Sequence, residues 1–363
     1  MTGRPSVFPM KCTVLLAVFG LALLVLDVSH AADPSAKPDD QAAAKPRLEG
    51  LKKDFLELKF GMFIHYNMAT YVSQEWVEGY PAPSEFNPGG KVDTDAWADA
   101  AKAAGMKYAV LTTKHVSGFC LWDSKYTTYD IMHPDCPYQQ DLVGQFVKSF
   151  TSRGLKVGLY YCWRNPGFDE GKNKGKNKGK YKVLPPECDP AKHSLAEQID
   201  FQKKQIAELA EKYPEVFYIL NDALDPGIMP ASQAAEFMRS LGPNIIACGN
   251  WWDWDKKGDP YLDLRVTELK HADERQKEYK YVAGETCFGL ERKWFQSGGP
   301  IRDARNTIHH IMTANGRKKN FLLNVGPGKD GKIHPDSVRT LKEIGEMWMP
   351  IENILDAGPK AEK

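Results

Sequence analysis

From Leu58 to Trp348 the chain alternates short, β-rich apolar runs with longer helical ones, and no other feature of the sequence restricts the fold as much. The spacing predicts strands over Phe60–Tyr66, Lys107–His115, Lys156–Trp163, Val216–Asp222, Asn244–Asn250, Tyr281–Cys287 and Asn320–Val325, and Leu264–Glu268 (LRVTE) is an eighth candidate. Between them, helices are expected over Thr94–Gly105, Gln140–Arg153, Ser194–Tyr213, Pro230–Leu241, Arg302–Asn315 and Asp336–Trp348. Continuous apolar strands joined by helical crossovers imply a parallel sheet covered on both faces. Seven or eight such units favour an α/β fold of the (β/α)8 barrel type over a doubly wound sheet. No GxGxxG follows the first strand. Gly326-Pro-Gly-Lys-Asp-Gly331 lacks the spacing and the GK[ST] ending of a phosphate loop, so it reads as a turn.

The barrel is expected to occupy residues 51–350 as a single domain, with a C-terminal tail over 351–363. Ahead of it, Arg4 and Lys11 precede the apolar run Val14–Leu26, and Ser29-His30-Ala31 has the small-x-small form of a cleavage site. That order predicts a secretory signal peptide over 1–31 and a secreted or periplasmic protein, with no membrane span in its mature form. Residues 32–50, rich in Ala, Pro, Lys and Asp, read as a flexible lead-in, and Gly171–Lys180 (GKNKGKNKGK) as a solvated insert. Lys+Arg 48 against Asp+Glu 47 removes any electrostatic reason to bind nucleic acid or an anionic surface. Of 7 Cys, Cys12 falls in the signal. Cys162, Cys248 and Cys287 sit at strand ends as buried thiols, and Cys120, Cys136 and Cys188 sit in loops where a disulfide is allowed. No CxxC pair exists, and no metal site is expected.

In a barrel of this kind the active site lies at the C-terminal ends of the strands. Those ends carry His65, Lys114-His115, Trp163, Asn221-Asp222, Asn250, Glu285 and Asn324. Polar groups that terminate apolar strands are costly to bury without partners, so several on one ring point to a pocket. Asp222 and Glu285 are carboxylates at predicted strand ends. Two facing carboxylates suit glycoside hydrolysis, one serving the anomeric carbon and the other protonating the leaving oxygen.

Several segments resemble the α-L-fucosidase family of retaining glycoside hydrolases. They are KFGMFIHY (Lys59–Tyr66), Glu75-Trp76, WADAAKAAGMKYAVLTTKH (Trp97–His115), GFCLWDSKYTTYDI (Gly118–Ile131), DLVGQFV (Asp141–Val147), RGLKVGLYY (Arg153–Tyr161) and NFLLNVGPGKDGKI (Asn320–Ile333). The resemblance implies Asp222 as nucleophile and Glu285 as general acid/base, with Glu268 the alternative acid/base. It implies that His65, Glu75, Trp76 and His115 hold the hydroxyls or frame the pocket of a glycan substrate, and that Trp294 covers the sugar. The implied chemistry needs no metal or organic cofactor. Three departures stand out: His65-Tyr66-Asn67 for the family's His-Trp-Gly, Val116-Ser117 for its His-Asp, and Leu220 where it places a Trp before the nucleophile. After the barrel, no counterpart of the family's C-terminal β-sandwich is expected within these 363 residues. A glycosidase of α-L-fucosides or a related sugar is therefore expected, and a non-catalytic glycan-binding relative is the alternative.

Overall fold

The computed structural model describes residues 48–77, 79–164, 192–224, 229–250, 263–268, 283–295 and 299–357. The predicted signal peptide, the lead-in up to residue 47, the Gly171–Lys180 insert and Cys188 lie outside them. Eight parallel strands close into a barrel in chain order: β1 (Phe60–Ile64), β2 (Tyr108–Lys114), β3 (Lys156–Cys162), β4 (Val216–Asp222), β5 (Ile246–Asn250), β6 (Leu264–Glu268), β7 (Gly284–Gly289) and β8 (Lys319–Asn324). The barrel closes through β1 on β8, Phe60 opposite Phe321 and Phe63 opposite Asn324. The eighth candidate, LRVTE, is a full staver of the ring, paired with both neighbours.

Apolar side chains divide into two layers, because successive residues of a strand face opposite sides of the sheet. One layer fills the lumen with Phe63, Tyr108, Val110, Tyr160, Tyr218, Leu220 and Leu322. The other lies between strands and helices, where Trp97, Phe146, Ile206 and Trp348 are buried. The helix Thr94–Ala103 begins at Asp93, whose side chain accepts from the Ala96 amide, and its Trp97 indole donates to the Gly331 carbonyl at 2.7 Å. The glycine-rich turn thus serves as a brace for that helix. The C-terminal helix runs Pro335–Ala357, so residues 351–357 continue it.

The lumen floor is built from polar aromatics. A helix over residues 48–56 closes the barrel from below, and Phe55 meets the rings of Tyr108 and Tyr218 edge-on at 5.9 and 5.7 Å. Gly61 on β1 and Gly158 on β3 make room for these rings, since a Cβ on either would run into Tyr108 or Tyr218. Their hydroxyls converge on one buried carboxylate, Glu285.

The described cysteines, Cys120, Cys136, Cys162, Cys248 and Cys287, are all buried free thiols. The allowed disulfide is therefore absent between Cys120 and Cys136.

Candidate active site

The cavity at the C-terminal ends of the strands encloses about 450 Å³ including the open space of its mouth. His65, Glu75, Trp76, His115, Asp222, Glu268 and Trp294 all line it. Residues separated by up to 229 positions meet because a closed parallel barrel brings every strand end onto one ring.

Glu285 is not among them, and here the sequence expectation is corrected. β7 starts at Gly284 and runs to Gly289, so Glu285 is its second residue rather than a residue at its end. The side chain is fully buried in the floor, accepting from Tyr108 Oη at 2.5 Å and from Tyr218 Oη at 3.1 Å. Tyr218 precedes Asp222 by four residues on β4, which at about 3.3 Å per residue is roughly 13 Å along the strand. A carboxyl at that depth cannot reach a group bound at the mouth. Burial pushes Glu285 up to about 7, although both tyrosine hydroxyls favour its ionised form.

Glu268 takes the place expected for Glu285. It is the last residue of β6, two strands from Asp222, and both line the same cavity. Asp222, the last residue of β4, is pushed up to about 6. Burial is the main cause. The Tyr160 hydroxyl, donating to Oδ2 at 2.5 Å, draws it back, and the charge of Glu268 pushes it up again. Ala223 adopts a left-handed φ of 57°, rare for a residue with a Cβ. Its backbone amide also hydrogen-bonds Asp222, which favours the carboxylate.

Two histidines face these acids. His65 lies well below its ordinary value through burial and the neighbouring His115, so it is neutral. His115 is lowered to about 3 by burial and by Lys114, and its Nδ1 is enclosed without a hydrogen-bond partner among the described residues. Its ring stacks on Tyr160 at 5.8 Å and meets Phe295 edge-on at 5.0 Å. Trp76 is half exposed at the mouth, 5.6 Å from the His115 ring. Trp294 lies 5.0 Å from His65, its amide donating to Glu75 Oε1 at 2.5 Å. Phe63, Leu220 and Val266 supply an apolar wall.

Asn250, the last residue of β5, also lines the cavity, whereas three other residues at strand ends turn away. The Trp163 indole donates to Asn221 Oδ1 at 2.8 Å, and Lys114 donates to the Cys162 carbonyl at 2.7 Å; none of these three lines the cavity. Tyr160 and Phe295 were missed in the sequence. Alternation along β3 carries a signal for Tyr160, which shares its face with Cys162, whereas Phe295 sits on a loop that periodicity does not reach. Among the described residues no group of three or more His, Cys, Asp or Glu is arranged to hold a metal ion.

The profile of the alpha-L-fucosidase family matches residues 25–353. The chain belongs to the α-L-fucosidase family. Among curated family members, the tissue alpha-L-fucosidase of Macaca fascicularis is 31% identical over 348 residues, covering 82% of this chain and 67% of that protein. Alpha-L-fucosidase 1 of Arabidopsis thaliana is 25% identical over 291 residues, covering 79% of this chain but 57% of its own length. The chain thus spans little more than half of that family member. Among solved structures, alpha-L-fucosidase isoenzyme 1 from Paenibacillus thiaminolyticus superposes with a TM-score of 0.66 at 26% identity, over 84% of this chain and 76% of that one.

Proposed function

We propose that this chain is an exported retaining glycoside hydrolase acting on α-L-fucosides or a closely related sugar. The observation that carries the reading is the pairing of Asp222 with Glu268 in one cavity, against an apolar wall and under Trp294. In the first step an Asp222 oxygen attacks the anomeric carbon, forming a glycosyl ester, while the Glu268 carboxyl protonates the departing oxygen. In the second, Glu268 takes a proton from water, which attacks the same carbon and releases Asp222. Two inversions give net retention. The charge of Glu268 opposes ionisation of Asp222, so the protonated Glu268 needed first is also the form that leaves the nucleophile ionised. An apolar wall of Phe63, Leu220 and Val266 suits a 6-deoxy sugar, whose methyl group offers nothing to hydrogen-bond.

A panel of aryl glycosides differing only in the sugar, assayed with wild type and Asp222→Asn, tests the reading. Turnover is expected on the α-L-fucoside or a near relative, and the Asn variant should keep sugar binding while losing turnover by orders of magnitude. Sugar binding by the wild type without turnover of any glycoside would leave a binding protein in its place.

A further inference from the structure

Asn324, the last residue of β8, is 1% exposed and holds two pocket residues at once. Its Nδ2 donates to the Trp294 carbonyl at 2.7 Å, and its Oδ1 lies 2.7 Å from His65 Nδ1. The two ends of an Asn amide look alike in shape, so the assignment has to come from the partners. Here they decide it. A backbone carbonyl only accepts, so the amide nitrogen must face Trp294 and the oxygen must face His65. That oxygen only accepts in turn, so His65 Nδ1 must carry the proton. His65 is held neutral by burial and by His115, so one ring proton is all it has. Its Nε2 is then a bare lone pair, with no protein partner among the described residues, on a ring that lines the cavity.

We propose that Asn324 is a positioning residue that locks His65 as the Nδ1–H tautomer, so that Nε2 accepts a hydrogen bond from one hydroxyl of the bound sugar. The same amide fixes the peptide of Trp294, whose N–H is held on the other side by Glu75. One residue therefore couples the cover over the sugar to the acceptor within the pocket. A neutral His in the opposite tautomer would present N–H and favour an acceptor instead, so the lock selects which substrate group fits there. The role toward a sugar rests on the glycosidase reading; the tautomer does not.

The first test is the ligand-free wild type, labelled with ¹⁵N-histidine, in long-range ¹H–¹⁵N spectra at neutral pH. His65 should show a protonated Nδ1 and a bare Nε2. A protonated Nε2 or a doubly protonated ring overturns the proposal, whatever the protein does to glycosides. Asn324→Asp still accepts from Nδ1 but cannot donate to Trp294, and its charge should bring His65 to the doubly protonated form. A His65 signal unchanged in that variant would also overturn it. With sugars, Asn324→Leu should weaken binding of the parent monosaccharide by roughly 3- to 10-fold, the range for one neutral hydrogen bond. That loss should disappear for the one monodeoxy analogue lacking the donating hydroxyl. An equal loss for every analogue would show that Asn324 supports the fold and selects no hydroxyl. No binding of any sugar, with the tautomer as stated, would refute the glycosidase reading and uphold the lock.

Discussion

Replacing Glu285 and Glu268 separately by Gln distinguishes a buried floor carboxyl from one at the barrel mouth. Glu285 ionises at about 7 in the folded protein and at 4.5 in an unperturbed chain. At about 1.36 kcal/mol per pH unit, the difference is on the order of 3 kcal/mol of stability. The folded-state value is the higher one, so this stability is full below about pH 4.5 and is lost as pH rises through 7. Glu285→Gln keeps the shape and cannot ionise, and the hydroxyls of Tyr108 and Tyr218 can rotate to suit an amide. Urea unfolding of both proteins at about pH 4.5 and pH 8 measures the effect as a difference, in which the contributions of all other groups cancel. The wild type should lose about 3 kcal/mol more than the variant over that interval. Turnover by Glu285→Gln should stay close to wild type, because the floor carboxyl touches no substrate. Glu268→Gln should lose about 10²- to 10⁴-fold on substrates with poor leaving groups. Activated aryl glycosides, which need little protonation, should lose much less. If Glu285→Gln gives that leaving-group pattern and Glu268→Gln does not, the placement of the acid is refuted. If the two stability profiles run parallel, the burial argument fails.

Tyr160→Phe removes the hydroxyl that favours ionised Asp222, so the acid limb of kcat/KM, expected near pH 6, should move to higher pH; an unmoved limb would separate Asp222 from that limb. Export predicts that protein recovered from its native host starts near Ala31 to Asp33 by mass spectrometry, and an intact Met1 would sink that expectation.

The strands themselves were legible because their signal is local. Each apolar run is short, bounded by turn residues and followed by a helical stretch, and even the polar-looking LRVTE of β6 kept the spacing of the series. His65, His115 and Asp222 followed from the same logic, since a polar residue after an apolar strand has few places to go except the mouth. The family motifs added Glu75, Trp76 and Trp294, which sit on loops where periodicity is silent.

Which carboxylate faces Asp222 was decided by register, and register is a relation between strands. Tyr281–Cys287 and Gly284–Gly289 overlap, and local apolarity favours the earlier start, yet a start at residue 284 puts Glu285 at the floor instead of near the mouth. Pairing with Lys319–Asn324 on one side and Arg265–Glu268 on the other fixes that start. Asn324 was visible as a strand end, but its hold on His65 spans 259 positions and its hold on Trp294 depends on how a loop folds back over the barrel. Tyr160 likewise acquires its partner only when β3 and β4 lie side by side. The sequence by itself determined the eight-unit alternation and the polar ends of its strands, because periodicity and burial are written residue by residue. Depth within the barrel, and so the placement of Glu268 and Glu285 and the partners of His65, belonged to the tertiary structure, because it depends on how distant strands align when the ring closes.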